Sequence, residues 1–283
     1  MDLPPPLALP PSVRLLAPDC QSAPLVFAAA HSGRAYSAAF RAAARLDALA
    51  LRRSEDCFVD DLFAAAPVHG APLLAATFPR AFCDANREAW ELDPAMFADA
   101  LPPWVNTASP RVGAGLGTIA RIVASGEAIY RDKLRFAEAE ARIRDCWLPF
   151  HDALGALIAA TRARFGRCLL IDCHSMPAAL PAAAPGPPAD VVLGDAHGTA
   201  CGPATVRRVE QVLQDLGYRV RRNDPYAGGY ITRHYGRPRE DVEAVQIELS
   251  RSLYMDEARF TPLPRFAAVQ RDMTALIAAL AAA

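Results

Sequence analysis

The chain has 283 residues, with 30 Lys and Arg against 31 Asp and Glu and a formal net charge of −1, so no whole-molecule field draws in a nucleic acid or a membrane surface, and neither partner is expected. Hydrophobic residues make up 52% and charged residues 22%, the balance of a globular chain rather than a disordered or fibrous one. The 7 cysteines are dispersed, with no C-x-x-C pair and no dense disulfide framework, which points to a reducing cytoplasm.

Residues 1–23 read as a proline-rich arm whose prolines interrupt the unbroken apolar run of a signal peptide. Residues 24–283 are expected to form one domain. Residues 24–30 (PLVFAAA) suit a short buried strand, and His31 follows at its end. Residues 37–53 are alanine-rich and amphipathic, and residues 56–66 place apolar side chains at helical spacing. Residues 73–77 and 81–85 read as short strands, and residues 102–118 as a loop rich in proline and glycine. A helical region covers residues 131–164. Residues 167–173 (RCLLIDC) are the clearest buried strand and run directly into His174. A proline- and alanine-rich loop at 178–188 follows, then a strand at 191–193, a helix at 203–216, a strand at 218–222, a glycine-rich turn, a strand at 244–249 and a terminal helix. No stretch reaches the roughly 18 uncharged apolar residues of a membrane span. Strands and helices alternating through the whole length predict an α/β fold: a single domain with a mostly parallel mixed sheet, helices on both faces, and ligands at the carboxyl ends of the strands.

Several chemistry-bearing residues fall near those strand ends. His31 precedes Ser32 and Gly33, small residues that let the chain turn sharply. His174 ends the strongest strand, and residues 54–61 (SEDCFVDD) supply several carboxylates, among them Glu55, Asp56 and Asp60. A catalytic zinc takes about three protein ligands with an open position for water. Asp56 is the favoured acid here, yet the segments lie far apart in sequence, so spacing does not choose between ligands and hydrogen-bonded structural groups. Cys173 beside His174 is no Cys–His nucleophile pair, because adjacent strand residues face opposite ways. Glu248 is an acid in an apolar strand, where an unpaired charge is costly. A general base beside a metal site would explain it, and so would a salt bridge to Arg251 or Arg233. His197 and His234 lie in motif-like loops and are candidates to orient ligands or stabilise an oxyanion. His69 and His151 read as ordinary surface or helix residues. The 113–117 glycines lack the Lys-Ser/Thr ending of a phosphate loop.

In order along the chain, AHSGRAY, SEDCFVDDLF, FPRAFCDANRE, GLGTIARIV, IDCHSMP, VVLGDAHGTAC, NDPYAGGYITRHYG and AVQIELSRSLYMDE together resemble the N-formylglutamate amidohydrolase family, within the wider zinc-carboxypeptidase-like hydrolases. The resemblance implies one zinc per chain held by His31, Asp56 and His174, with Glu248 as general base. It implies a small acidic N-acyl amino acid as substrate, N-formyl-L-glutamate foremost, and a place in histidine degradation. Zinc carboxypeptidases carry their first two ligands as His-x-x-Glu; Arg34 stands at that place here, so the acidic ligand must come from elsewhere. Asn86 and Arg87 are similar to the pair that holds the substrate carboxylate in carboxypeptidases. Arg34, Arg80 and Arg233 are further candidates for a side-chain carboxylate, Arg233 foremost because its loop carries the glycines and aromatics of a ligand-covering segment. Two other readings stay open: a hydrolase of another N-acyl amino acid or short peptide, and a binding protein that keeps the fold without the chemistry.

Overall fold

In the computed structural model, which describes residues 11–178 and 188–282, seven strands form one sheet: β1 (Val13–Leu16), β2 (Leu25–Ala29), β3 (Leu73–Ala76), β4 (Cys168–Met176), β5 (Val191–Gly194), β6 (Val220–Arg222) and β7 (Val242–Ser250). Their spatial order is β1-β3-β2-β4-β7-β5-β6. Strands β3, β2, β4 and β7 are parallel; β1 runs against β3, and β5 runs against β7 while parallel to β6. This is the mostly parallel mixed sheet expected. The expected arm at residues 1–23 is partly strand, because Val13 to Leu16 pair with β3; its first ten residues lie outside the described ones, as does most of the expected 178–188 loop.

The helices depart from expectation where local hydrogen bonds override periodicity. The amphipathic stretch at 37–53 forms two short helices, α1 (Ala38–Ala43) and α2 (Ala48–Leu51). Asp47 restarts the helix by accepting the Ala50 N–H at 2.8 Å, the usual role of an aspartate N-cap. The 56–66 helix shrinks to α3 (Val59–Leu62), since Phe58 takes a left-handed φ of 64° and forces a turn just before it. Residues 81–85 are not a strand: the Phe82 and Cys83 N–H groups turn back to Pro79 O. The 102–118 loop holds one short helix, α4 (Pro110–Gly113). The next helical region starts only at α5 (Phe136–Arg142), passes through a π-helical turn at Ile143–Trp147 and continues as α6 (Leu148–Phe165). Then come α7 (Pro203–Asp215), the unanticipated α8 (Tyr230–Tyr235) and α9 (Phe266–Ala281).

Both faces of the sheet are covered. Ile171, Cys173, Val245 and Ile247 pack with residues of α7 and α9 in one apolar cluster, while Leu170 and Ala244 pack with residues of α6 in another. Central parallel strands buried on both faces read as near-continuous apolar runs, so the polar residues near the ends of β4 and β7 stand out. Among the described residues no helix is long and apolar enough to cross a membrane.

Candidate active site

Four chain segments meet at the carboxyl ends of β2, β4 and β7. His31 follows β2, and the chain then crosses beneath Phe78 so closely that a Cβ on Gly33 would lie 2.0 Å from Phe78 O. The Asp56 N–H donates to His31 O at 3.0 Å, which seats the acidic segment against the first histidine. On β4, alternation places Asp172 and His174 on one face; on β7 it does the same for Gln246 and Glu248. The β4–β7 register pairs Asp172 with Gln246 and His174 with Glu248, so the second histidine and the lone acid stand side by side.

One nitrogen of each imidazole and one Asp56 oxygen lie within 4.8 Å of one another, and all three residues are buried. His174 Nδ1 is 2.9 Å from Asp56 Oδ2. His31 Nδ1 is 3.3 Å from the same oxygen but makes no hydrogen bond among the described residues, a buried nitrogen without a partner there. The opposite ring nitrogens are anchored: His31 Nε2 lies 2.7 Å from Asp84 Oδ1, and His174 Nε2 lies 2.7 Å from Asp172 Oδ1. A carboxylate on the far side of each ring fixes the tautomer with Nε2–H donating, so both Nδ1 lone pairs face inward, the arrangement of metal-binding histidines. Two imidazole nitrogens and one carboxylate oxygen are a donor set that can hold a metal ion.

The electrostatics favour a cation at that point. Burial alone would lower the basicity of His174, but Asp172, Asp56 and Glu248 outweigh it and hold the imidazole well above its ordinary value. Burial would raise the Asp56 carboxyl, yet His174 and His31 hold it well below the usual carboxylate range. Asp84 is likewise kept low despite burial, by Arg80, Arg87 and His31. Carboxylates gathered around the two imidazoles make the point between them favourable for a cation.

Glu248 behaves differently. Burial pushes its carboxyl up to about 7, with Asp56 and Asp172 adding to the shift and His174 and Arg80 opposing it. Its Oε1 accepts from Gln246 Nε2 at 2.9 Å. Neither expected salt bridge forms: Arg251 Nη2 instead pairs with Asp56 Oδ1 at 3.2 Å, and among the described residues Arg233 makes no ion pair.

A cavity of about 590 Å³ opens above this centre and is lined by His31, His174, Glu248 and the 225–229 loop, with Asn86 and Arg87 on another wall. Asn86 is turned inward. Its Oδ1 accepts the Ile231 N–H at 2.8 Å, and its Nδ2 lies 3.0 Å from His174 Nε2, whose own N–H goes to Asp172, so the oxygen anchors the amide while its NH2 group lies against the ring edge in the cavity wall. A Cβ on Gly229 would fall 2.3 Å from that amide, which explains the glycine there. The segment bearing Asn86 is fastened from behind by Trp147, whose Nε1 donates to Arg87 O at 2.9 Å, and by His151 Nε2, 2.8 Å from Ala85 O. His151 is thus a buried anchor and not a surface group.

Other expected site residues lie elsewhere. Arg34 is spent on Asp60 and Asp61 outside the cavity, because the acidic pair that follows Phe58 faces it. Asp60 is held by Arg34 and Arg14, and Glu55 is gripped by Arg52 and Tyr36, so of the three open carboxylates Asp56 is the one that meets the histidines. His197 is exposed on a left-handed turn, and exposed His234 stacks on Tyr230 at 4.8 Å; neither lines the cavity, so the oxyanion role expected of them has no support in this geometry. Sequence reasoning gave no role to Asp84, Asp172, Gln246, Tyr226 or Arg111. The first three carried a readable signal, since each sits two residues from a named one.

An α/β sheet whose strand ends gather two imidazoles, a carboxylate and a further buried acid beneath a cavity is an arrangement suited to hydrolytic enzymes. The sequence profile of N-formylglutamate amidohydrolase matches residues 23–255. N-formylglutamate deformylase of Pseudomonas aeruginosa is 33% identical over 238 residues, 83% of each chain. The Pseudomonas putida enzyme of the same name is 30% identical over 237 residues, 83% of this chain and 82% of its own. The crystal structure of N-formylglutamate amidohydrolase from Ralstonia eutropha JMP134 superposes with a TM-score of 0.89 at 38% identity, covering 96% of this chain and 97% of that one. The chain belongs to the N-formylglutamate amidohydrolase family and is a hydrolase acting on an amide bond.

Proposed function

We propose that this protein is a zinc-dependent amidohydrolase that converts N-formyl-L-glutamate and water to formate and L-glutamate. The observation that carries the reading is the convergence of His31 Nδ1, Asp56 and His174 Nδ1 beside Glu248. His31, Asp56 and His174 would hold the zinc ion, a reading supported by the His31 Nδ1 that has no partner among the described residues and by the carboxylates behind both rings. When bound, zinc supplies Lewis acidity that polarises the formyl carbonyl and makes water more acidic.

The chain's own groups do the rest. Glu248, poised near neutrality by burial, takes a proton from the attacking water as the new C–O bond forms and returns it to the amide nitrogen as the C–N bond breaks. Gln246 holds the carboxylate by its Oε1, leaving Oε2 for the proton. Arg87 faces the cavity with its Nε and Nη1 on Leu116 O and Asn86 O, so its Nη2 remains to receive the substrate's α-carboxylate. Asn86, held through its Oδ1 by the Ile231 N–H, lines the cavity beside Arg87 and offers its NH2 group as a further donor to the substrate carboxylate. Arg233, at the cavity rim, is a second cation for an acidic substrate. The 7 free thiols suit a cytoplasmic setting.

Metal content by mass spectrometry on protein purified without chelator, paired with a formate-release assay before and after chelation, tests this reading. About one zinc per chain and chelator-sensitive release are expected. Zinc without formate release would move the substrate to another N-acyl amino acid, and absence of both would leave a binding protein on this fold.

A further inference from the structure

The cavity walls carry five guanidiniums, from Arg80, Arg87, Arg111, Arg233 and Arg251, against the carboxylates of Asp84 and Glu248. Two of the five are already committed. Arg80 donates to Asp84 Oδ2 at 2.9 Å, and Arg251 is held by Asp56, Ser175 and Arg53 O. Arg87 lies 3.8 Å from Asp84 and spends two donor positions on carbonyls. Arg111 and Arg233 make no ion pair and no side-chain hydrogen bond among the described residues. Arg233 is exposed on α8, whereas Arg111 is half-buried.

The segment bearing Arg111 is also fastened to the wall that holds Arg87. Ser109 caps α4 by accepting the Val112 N–H at 3.2 Å, Leu116 O takes the Arg87 Nε–H, and Thr118 O takes the Asp84 N–H at 2.8 Å. Gly117 runs so close to Glu91 O that a Cβ would lie 2.2 Å from it. Burial pushes Arg87 down to about 10, opposed by Asp84 and reinforced by Arg80 and Arg111, which places the Arg111 charge near that of Arg87. A half-buried cation beside a second cation, with no anion of its own, is unfavourable until an anion arrives. We propose that Arg111 is the specificity-determining residue of the site, receiving the side-chain carboxylate of an N-acylated dicarboxylic amino acid whose α-carboxylate lies on Arg87. The inference rests on the amidohydrolase reading for the orientation of the substrate, and on the cavity alone for a dianion.

Two measurements on the full-length protein separate these. Calorimetry compares glutarate with glutaramate, its mono-amide, and steady-state assays compare N-formyl-L-glutamate with N-formyl-L-glutamine. In Arg111→Met the preference for the dianion should fall by about 10- to 100-fold in affinity and, through KM more than kcat, in kcat/KM, the range of a lost charged hydrogen bond. Arg111→Lys should recover part of that preference. An unchanged preference in Arg111→Met, or a loss equal for both ligands, overturns the subsite even if formate release continues. An Arg111-dependent preference for glutarate in a protein that releases no formate supports the subsite and rejects the reaction.

Discussion

Along the face of β4 and β7 that carries His174 and Glu248, one half is core and the other is the site. Leu170 and Ala244 sit in an apolar cluster; one pleat further on, Asp172, His174, Gln246 and Glu248 are equally hidden from solvent, none more than 7% exposed. Burial therefore does not distinguish the halves. What differs is the means of stabilisation: the first half gains by removing apolar surface from water, the second depends on partners for every polar atom. Asp172 has both oxygens occupied, by His174 and by the Thr232 hydroxyl at 3.1 Å. Among the described residues the network stays incomplete at His31 Nδ1 and at the second oxygen of Glu248, where an incoming ligand has something to complete.

Glu248→Gln tests that contrast most severely. The amide keeps the volume and an oxygen for Gln246 but cannot accept a proton, so kcat on N-formyl-L-glutamate should fall by about 10²- to 10⁴-fold. Metal content and thermal unfolding should stay as in the parent. Turnover within an order of magnitude of the parent would remove Glu248 from the chemistry.

The core half carries a titratable group of its own. His151 on α6 donates from Nε2 to Ala85 O and accepts at Nδ1 from the Tyr235 hydroxyl, 2.9 Å away, and burial pushes it down to about 4. Its folded-state value lies below the unfolded one, so only the unfolded chain takes up this proton between roughly pH 6.5 and 4. Stability falls as pH drops through that window, by about 3 kcal/mol in all from this residue. Urea unfolding at pH 7 and pH 4.5 should show a smaller acid loss in His151→Gln; an equal loss in both proteins would place the acid sensitivity elsewhere.

In the polar half, Asp172→Asn leaves shape intact and weakens the charge behind His174. Metal affinity should drop by about 10- to 100-fold, the usual cost of removing a carboxylate behind a metal-binding histidine. Competition with a fluorescent zinc chelator reads this without turnover. An affinity matching the parent would make Asp172 a purely structural partner of Thr232.

Much of this was legible before the structure. The runs at 25–29 and 168–176 are strands because their apolar residues are buried on both faces, and His31, His174 and Glu248 stand where α/β sheets gather ligands. Periodicity failed at residues 37–53 and 56–66, where a capping aspartate and one left-handed residue decide the backbone. It could not place Arg34 either, since a cation's partner is set by tertiary contacts, here Asp60 and Asp61. Nor could it place Arg111, which sits on α4 at the start of a segment whose path follows from fastenings at Arg87 and Glu91.

The mildest test uses the residue between the two that matter most on β4. Cys173 follows Asp172 and precedes His174, yet it points to the opposite face and packs with Ile171, Val245 and Ile247. Burial, with Asp172 adding to it, pushes its thiol well above the ordinary range, so it stays protonated and is neither a nucleophile nor a metal ligand. Cys173→Ala deletes one buried sulfur from a packed cluster and should cost about 1 kcal/mol of stability. Formate release should persist. A folded Cys173→Ala protein without turnover would mean that the two faces of β4 are coupled, and that the site depends on core packing as well as on its own hydrogen bonds.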